Sequence, residues 1–256
     1  MFLKEHFTAL KGKRKIVMLT AYDVQVARIL SITDIDLILV GDSLGVVFQG
    51  HPNTQQVTMD EMIYHTKAVV RGAGLKPVIG DMPINSYSTE EQAVVNAKRF
   101  IEAGAKGVKI EGSNPPVVKA LFKAGIEVMG HVGLLPQTAQ VNRVQGKTAA
   151  DAEKIFKAAR ELDKGNVFSI VLECVPEDLA KRITESLSAP TIGIGAGVYC
   201  DGQVLVINDM LGMDDKALPK FVKQYAGLAY TIQTAVSQFT QEVRAGTYPD
   251  SLHTYH

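Results

Sequence analysis

Short, β-branched apolar runs recur along this chain, each followed by a turn and a helical stretch, and this repeat limits the fold more than any other feature. The runs are KIVML (15–19), DLILVGD (36–42), KPVIGD (76–81), GVKIEG (107–112), EVMGHVG (127–133), FSIVLEC (168–174), PTIGIGAG (190–197) and QVLVIND (203–209). Continuous apolar runs without alternation suit parallel strands covered on both faces. The segments between them read as helices. STEEQAVVNAKRFIEAG (88–104) opens on Ser88 as N-cap, carries acids in its first turn and closes on Gly104. DAEKIFKAARELDKG (151–165) has the same shape, and VPEDLAKRITESL (175–187) sets Pro176 at a helix start, where its missing N–H is harmless. About eight such repeats in 256 residues predict an α/β fold, a (β/α)₈ barrel, with a doubly wound open sheet as the rival. The interval between the last two runs is short, so the helix there is expected to be vestigial. Residues 216–243 read as one long amphipathic helix, and no linker interrupts the chain. The expectation is a single barrel domain over 1–256 with a C-terminal helical extension.

The ends of the runs are polar. LVGD ends in Asp42, VIGD in Asp81, VKIE in Glu111, VMGH in His131 and IVLE in Glu173. Taken singly, each is a turn starter or a helix cap. Together they share one structural position, and two are glutamates, which cap poorly. In a barrel these ends converge on the rim where active sites lie. Asp42, Asp81 and Glu111 come from consecutive strands ~4.8 Å apart, so their carboxylates reach one small volume. Without a counter-ion they would repel, and some would take up a proton. A divalent cation resolves this, and an oxygen-only donor set favours Mg²⁺ over Zn²⁺. Lys109 lies two residues from Glu111, so the two share a strand face. It serves to balance charge, to hold an anionic substrate, or as one half of a structural ion pair. A cation with open positions beside a carboxylate suits proton abstraction next to a carbonyl. Glu173 is the candidate base. His131 is the competing candidate, or a hydrogen-bonding rim residue.

Other classes fit less well. Lys+Arg and Asp+Glu are equal at 27 each, so no net field draws nucleic acid or an anionic membrane. The basic cluster KGKRK (11–15) has no flanking aromatics and reads as a solvated lead-in to the first strand. Cys174 and Cys200 form neither a CxxC nor a zinc spacing, which suits a reduced compartment. MFLKEHF sets Lys4 and Glu5 where an apolar signal segment would begin, and no apolar run approaches the ~18–20 residues that span a bilayer. A cytoplasmic protein that binds neither nucleic acid nor membrane is expected. GKT (146–148) lacks the first glycine of a P-loop, since Val141 stands there. GIGAG (193–197) lacks the last glycine of a dinucleotide fingerprint and reads as a place where backbone approaches something closely.

Several longer stretches carry a resemblance. LVGDSLG (39–45), MDEMIYHTKAVVRG (59–72), GDMPINSY (80–87), AGAKGVKIEG (103–112), GHVGLLPQ (130–137), LECVP (172–176), IGIGAG (192–197), DGQVLVINDMLG (201–212) and AGTYPDSLH (245–253) together closely resemble the 3-methyl-2-oxobutanoate (ketopantoate) hydroxymethyltransferase family. The resemblance implies a (β/α)₈ TIM barrel of the phosphoenolpyruvate/pyruvate type, a bound Mg²⁺ and a cytoplasmic homo-oligomer, commonly a decamer. It implies transfer of a one-carbon unit from 5,10-methylenetetrahydrofolate, the co-substrate, to 3-methyl-2-oxobutanoate, giving 2-dehydropantoate in pantothenate synthesis. It assigns metal ligation to Asp42, Asp81 and Glu111, ketoacid contacts to Asp42, Ser43, Asp81 and Lys109, and the proton acceptor to Glu173. A Mg²⁺-dependent 2-oxoacid lyase or aldolase of the same barrel class, working without folate, is the alternative. The chain departs from the family pattern in GHPNT (50–54) and AQVNRVQG (139–146), both expected to be rim loops.

Overall fold

The computed structural model describes residues 2–141, 143–214 and 217–255. The chain divides into two compact units, Met1–Val206 and Ile207–His256. In the first, eight parallel strands close into a barrel in sequence order: β1 Ile16–Thr20, β2 Leu37–Val40, β3 Val78–Asp81, β4 Gly107–Lys109, β5 Val128–Gly133, β6 Ser169–Glu173, β7 Thr191–Ile194 and β8 Gly202–Leu205. The expected barrel is therefore observed, and the open sheet is excluded by the β1–β8 pairing. Around the strands run α1 Leu3–Leu10, α2 Val24–Ser31, α3 Leu44–Val47, α4 Met59–Gly72, α5 Glu90–Glu102, α6 Pro115–Lys123, α7 Ala149–Lys164 and α8 Glu177–Ser186. Residues 195–201, between β7 and β8, form no helix.

The core is the barrel interior. Met18, Leu37, Leu39, Ile79, Met129, Phe168, Val171, Ile192 and Val204 form one buried cluster with Leu3 and Phe7 of α1. The amphipathic α1 was not apparent from the strand–helix repeat. It puts Phe7 against Phe168, ring centroids 5.9 Å apart.

Three local readings change. The N-cap of α5 is Thr89, whose hydroxyl accepts from Gln92 N–H, not Ser88 beside it. The KGKRK cluster is not simply solvated. Lys11 donates to Asp201 at 2.6 Å and to the Thr184 carbonyl at 2.9 Å, Lys15 reaches the Val198 and Cys200 carbonyls, and Arg14 binds Asp36. The close approach at GIGAG is to Glu177: a Cβ on Gly197, whose φ is +77°, would meet that side chain at 2.5 Å.

The second unit contains α9 Ile207–Leu211 and α10 Leu228–Ala245. Of the helix expected over 216–243, residue 216 lies outside the described residues and 217–227 are not helical. The helix starts after Gly227 and closes on Gly246 in the left-handed conformation, φ 69°. None of its residues is buried, and Ile232, Val236, Phe239 and Val243 recur at helical spacing along it. No described helix is long and apolar enough to cross a membrane.

Candidate active site

The C-terminal ends of the strands deliver the expected residues to one place. Asp81 ends β3 and Glu173 ends β6, while Asp42 and Glu111 lie two residues beyond β2 and β4. His131 is not at a strand end but inside β5, and Ser43 is the N-cap of the short α3. Asp42, Ser43, Asp81, Lys109, Glu111, His131 and Glu173 all line one cavity of about 120 Å³, with Thr54 of the divergent 50–54 segment on its wall. The hollows at the opposite end of the barrel, beside Phe2 and Glu127, contain none of these groups.

Within the cavity the charges are paired across strands. Lys109 Nζ donates to Asp81 Oδ1 at 2.8 Å and Oδ2 at 2.7 Å. The sequence pattern put Lys109 on the face of Glu111; the barrel register sets it directly opposite Asp81. Asp42 N–H donates to Asp81 Oδ2 at 3.3 Å, so the first two carboxylates are neighbours. Ser43 Oγ and the Tyr22 hydroxyl are 2.9 Å apart. His131 stands between two carboxylates: Nδ1 is 3.6 Å from Glu111 and Nε2 3.3 Å from Glu173, and neither nitrogen makes an aligned hydrogen bond.

Burial and the neighbouring charges together set the electrostatics. Burial and the neighbouring Asp81 push Asp42 well above the usual carboxylate range, against the pull of Lys109. Burial works against the Lys109 cation, but Asp81, Glu111 and Asp42 outweigh it and raise its pKa. Burial and Lys109 likewise oppose a charge on His131, yet Glu111 and Glu173 hold its pKa up at about 9. The cavity thus carries more buried carboxylate than its cations balance. Among the described residues, the buried Glu111 Oε1 has no hydrogen-bond partner.

Two residues of this network escaped the strand-end pattern. Gln137, in the loop after β5, donates from Nε2 to Asp42 Oδ2 and to the Met82 carbonyl, both at 2.9 Å. Its backbone N–H donates to Glu111 Oε2 at 3.1 Å. Its Oε1 accepts from the Tyr87 hydroxyl at 2.5 Å, and that hydroxyl accepts from Glu111 N–H at 3.3 Å. Both sit in quoted motifs, GHVGLLPQ and GDMPINSY, but on loops, where no periodicity marks them.

Comparisons with known proteins find relatives over nearly the whole chain. A family profile described as ketopantoate hydroxymethyltransferase matches residues 3–251. A 3-methyl-2-oxobutanoate hydroxymethyltransferase of Syntrophomonas wolfei is 53% identical over 96% of this chain and 91% of its own length. Enzymes of the same name from Clostridium botulinum and Thermotoga neapolitana are each 50% identical, covering 97% and 98% of this chain and 94% and 95% of theirs. Among solved structures, phosphoenolpyruvate phosphomutase from Streptomyces platensis subsp. rosaceus aligns with TM-score 0.65 at 14% identity, over 100% of this chain and 92% of that one. A phosphonopyruvate hydrolase complex with oxalate and Mg²⁺ aligns with TM-score 0.64 at 11% identity, over 98% and 90%. These two share the fold, a closed barrel of eight parallel strands. Matched over nearly its whole length by the profile and by relatives at half identity, the chain belongs to the ketopantoate hydroxymethyltransferase family.

Proposed function

We propose that this chain transfers a hydroxymethyl group from 5,10-methylenetetrahydrofolate to 3-methyl-2-oxobutanoate, giving 2-dehydropantoate for pantothenate synthesis. The observation that carries the reading is the convergence of three carboxylates, Lys109, His131 and Glu173 on one buried cavity at the catalytic end of the barrel.

Asp42 and Asp81, with Glu111 beside them, are the residues that would hold Mg²⁺. Among the described residues no three His, Cys, Asp or Glu side chains are already arranged around a metal-sized point. Mg²⁺ does not need that, because it takes one or two carboxylates and completes its shell with waters and substrate oxygens. The surplus of buried carboxylate, and a Glu111 Oε1 that faces His131 without a hydrogen bond among the described residues, fit a dication. When bound, it would polarise the ketoacid carbonyl and stabilise negative charge on its oxygen.

The protein groups divide the remaining work. Lys109 and Ser43 bind the carboxylate of the ketoacid. Glu173 removes the C3 proton, and His131, touching Glu173, steadies it. The C3 carbanion then bonds to the folate methylene as one of its two C–N bonds breaks, and water displaces the second nitrogen from that carbon, giving the hydroxymethyl product and tetrahydrofolate. The same reading makes the protein a cytoplasmic homo-oligomer, commonly a decamer in the family. Free Cys174 and Cys200 and the exposed apolar residues of α10 support it. It also takes the chain as one barrel domain with a C-terminal helical extension.

The test is exchange of the C3 proton of 3-methyl-2-oxobutanoate in D₂O, followed by NMR, with Mg²⁺ and with EDTA, and without folate. Metal-dependent exchange supports the reading. Absence of exchange under both conditions, even with tetrahydrofolate added, would overturn it.

A further inference from the structure

Gln137 is buried, and each of its polar groups has a partner of matching type. The two groups to which its amide nitrogen donates, a carboxylate and a carbonyl, can only accept. The group from which its oxygen accepts, the Tyr87 hydroxyl, donates. No other side chain of similar size reproduces this: glutamate has no donor when ionised, and leucine or methionine has neither role. The residue also bridges distant elements. From the loop after β5 it reaches the β2-end carboxylate through its side chain and the β4-end carboxylate through its backbone.

We propose that Gln137 is a positioning residue for the cation site: it holds one oxygen of Asp42 and one of Glu111, leaving the other oxygen of each carboxylate to a divalent cation or substrate. This rests on the reading of Asp42, Asp81 and Glu111 as the cation site. Groups that orient metal ligands from behind typically change affinity by about 10–100-fold when removed. A plain loop anchor would behave differently. Its loss would lower stability but leave cation affinity alone.

The experiment measures Mn²⁺ dissociation constants by calorimetry for wild type, Gln137→Leu and Tyr87→Phe, with circular dichroism and melting in EDTA alongside. Gln137→Leu should weaken Mn²⁺ binding about tenfold while keeping the wild-type spectrum. Tyr87→Phe removes the hydroxyl that orients the amide and also accepts from Glu111 N–H, and should weaken binding by a smaller factor than Gln137→Leu. A Gln137→Leu affinity within twofold of wild type overturns the proposal. If that variant does not fold, Tyr87→Phe decides alone, and an unchanged affinity there overturns it. Wild type that binds no Mn²⁺ overturns both this proposal and the cation site itself, so the two failures are distinct.

Discussion

Lys109 lies directly opposite Asp81 in the β3–β4 register and holds both of its carboxylate oxygens, at 2.8 and 2.7 Å. Both side chains are buried. The pair sits among the cavity's carboxylates, and Asp81, Glu111 and Asp42 all raise the pKa of Lys109, so it is their main counter-charge. Replacing Lys109 with Met keeps the volume but leaves Asp42, Asp81 and Glu111 without their permanent counter-charge. Breaking a buried pair from one side destabilises by about 3–5 kcal/mol. Urea unfolding of Lys109→Met in EDTA should show a loss of that size. The double variant Lys109→Met/Asp81→Asn should recover much of it. A double variant as unstable as the single one would show that Asp81 is not the charge Lys109 neutralises.

Glu173 ends β6 on the far side of His131 from Glu111. Exchange of Glu173 for Gln preserves shape and removes the proposed proton acceptor. C3-proton exchange should fall by about 10²–10⁴-fold, the usual contribution of a positioned base. Mn²⁺ affinity should stay near wild type, because Asp42 and Asp81 come from other strands. Unimpaired exchange in Glu173→Gln would move the base role to His131 or a water.

The barrel and most of this site were legible in the sequence, for a physical reason. Parallel strands buried on both faces read as unbroken apolar runs, so an ionisable residue closing each run stands out. Asp42, Asp81, Glu111 and Glu173 were visible in this way, and Ser43 through its motif. Gln137 and Tyr87 were not, because loop residues follow no period and an amide inside LLPQ looks like any polar turn residue. The partner of Lys109 was also hidden. Alternation along one strand shows which residues share a face, but the register against the next strand is a tertiary fact. The start of α10 was misplaced because the apolar spacing continues upstream of Gly227 although the backbone does not follow it.

Away from the site, Asp36 ties the entry of β2 to β1. Its carboxylate accepts from Val17 N–H at 2.8 Å and from Arg14 Nη1 at 2.9 Å. Burial alone would raise its pKa, but the bonds from Arg14 and Val17 outweigh that and hold it below the ordinary range. A carboxyl lowered in the folded state binds its proton first in the unfolded chain. Its contribution is therefore present above the unfolded value of ~3.9 and is lost as the pH falls through the folded value. Asp36→Asn should cost about 1 kcal/mol at pH 7, since the pair is partly solvated and Arg14 is half exposed. Urea curves of variant and wild type should converge as the pH drops below ~3.9. A difference that stayed constant down to pH 2 would mean that lost packing, not charge, explains it.

Gly133 offers a way to move Glu173 without substituting it. It ends β5 with φ +100°, a conformation L side chains rarely adopt, and it pairs with Glu173 across the ladder. A Cβ there would press on the Glu173 carbonyl oxygen and on Val175. The next residue, Leu134, donates its N–H to that same carbonyl at 2.8 Å. Gly133→Ala should therefore strain the backbone by about 1–3 kcal/mol and displace Glu173, the proposed base, within the cavity. A shift on the order of 1 Å in a reacting group lowers turnover about 10²-fold. Turnover should fall by that factor, while Mn²⁺ affinity, which depends on the proposed ligands Asp42, Asp81 and Glu111 at the ends of other strands, stays within a few-fold of wild type. Parallel loss of both would indicate general collapse of the rim. Unchanged turnover would show that the position of Glu173 does not depend on its ladder partner.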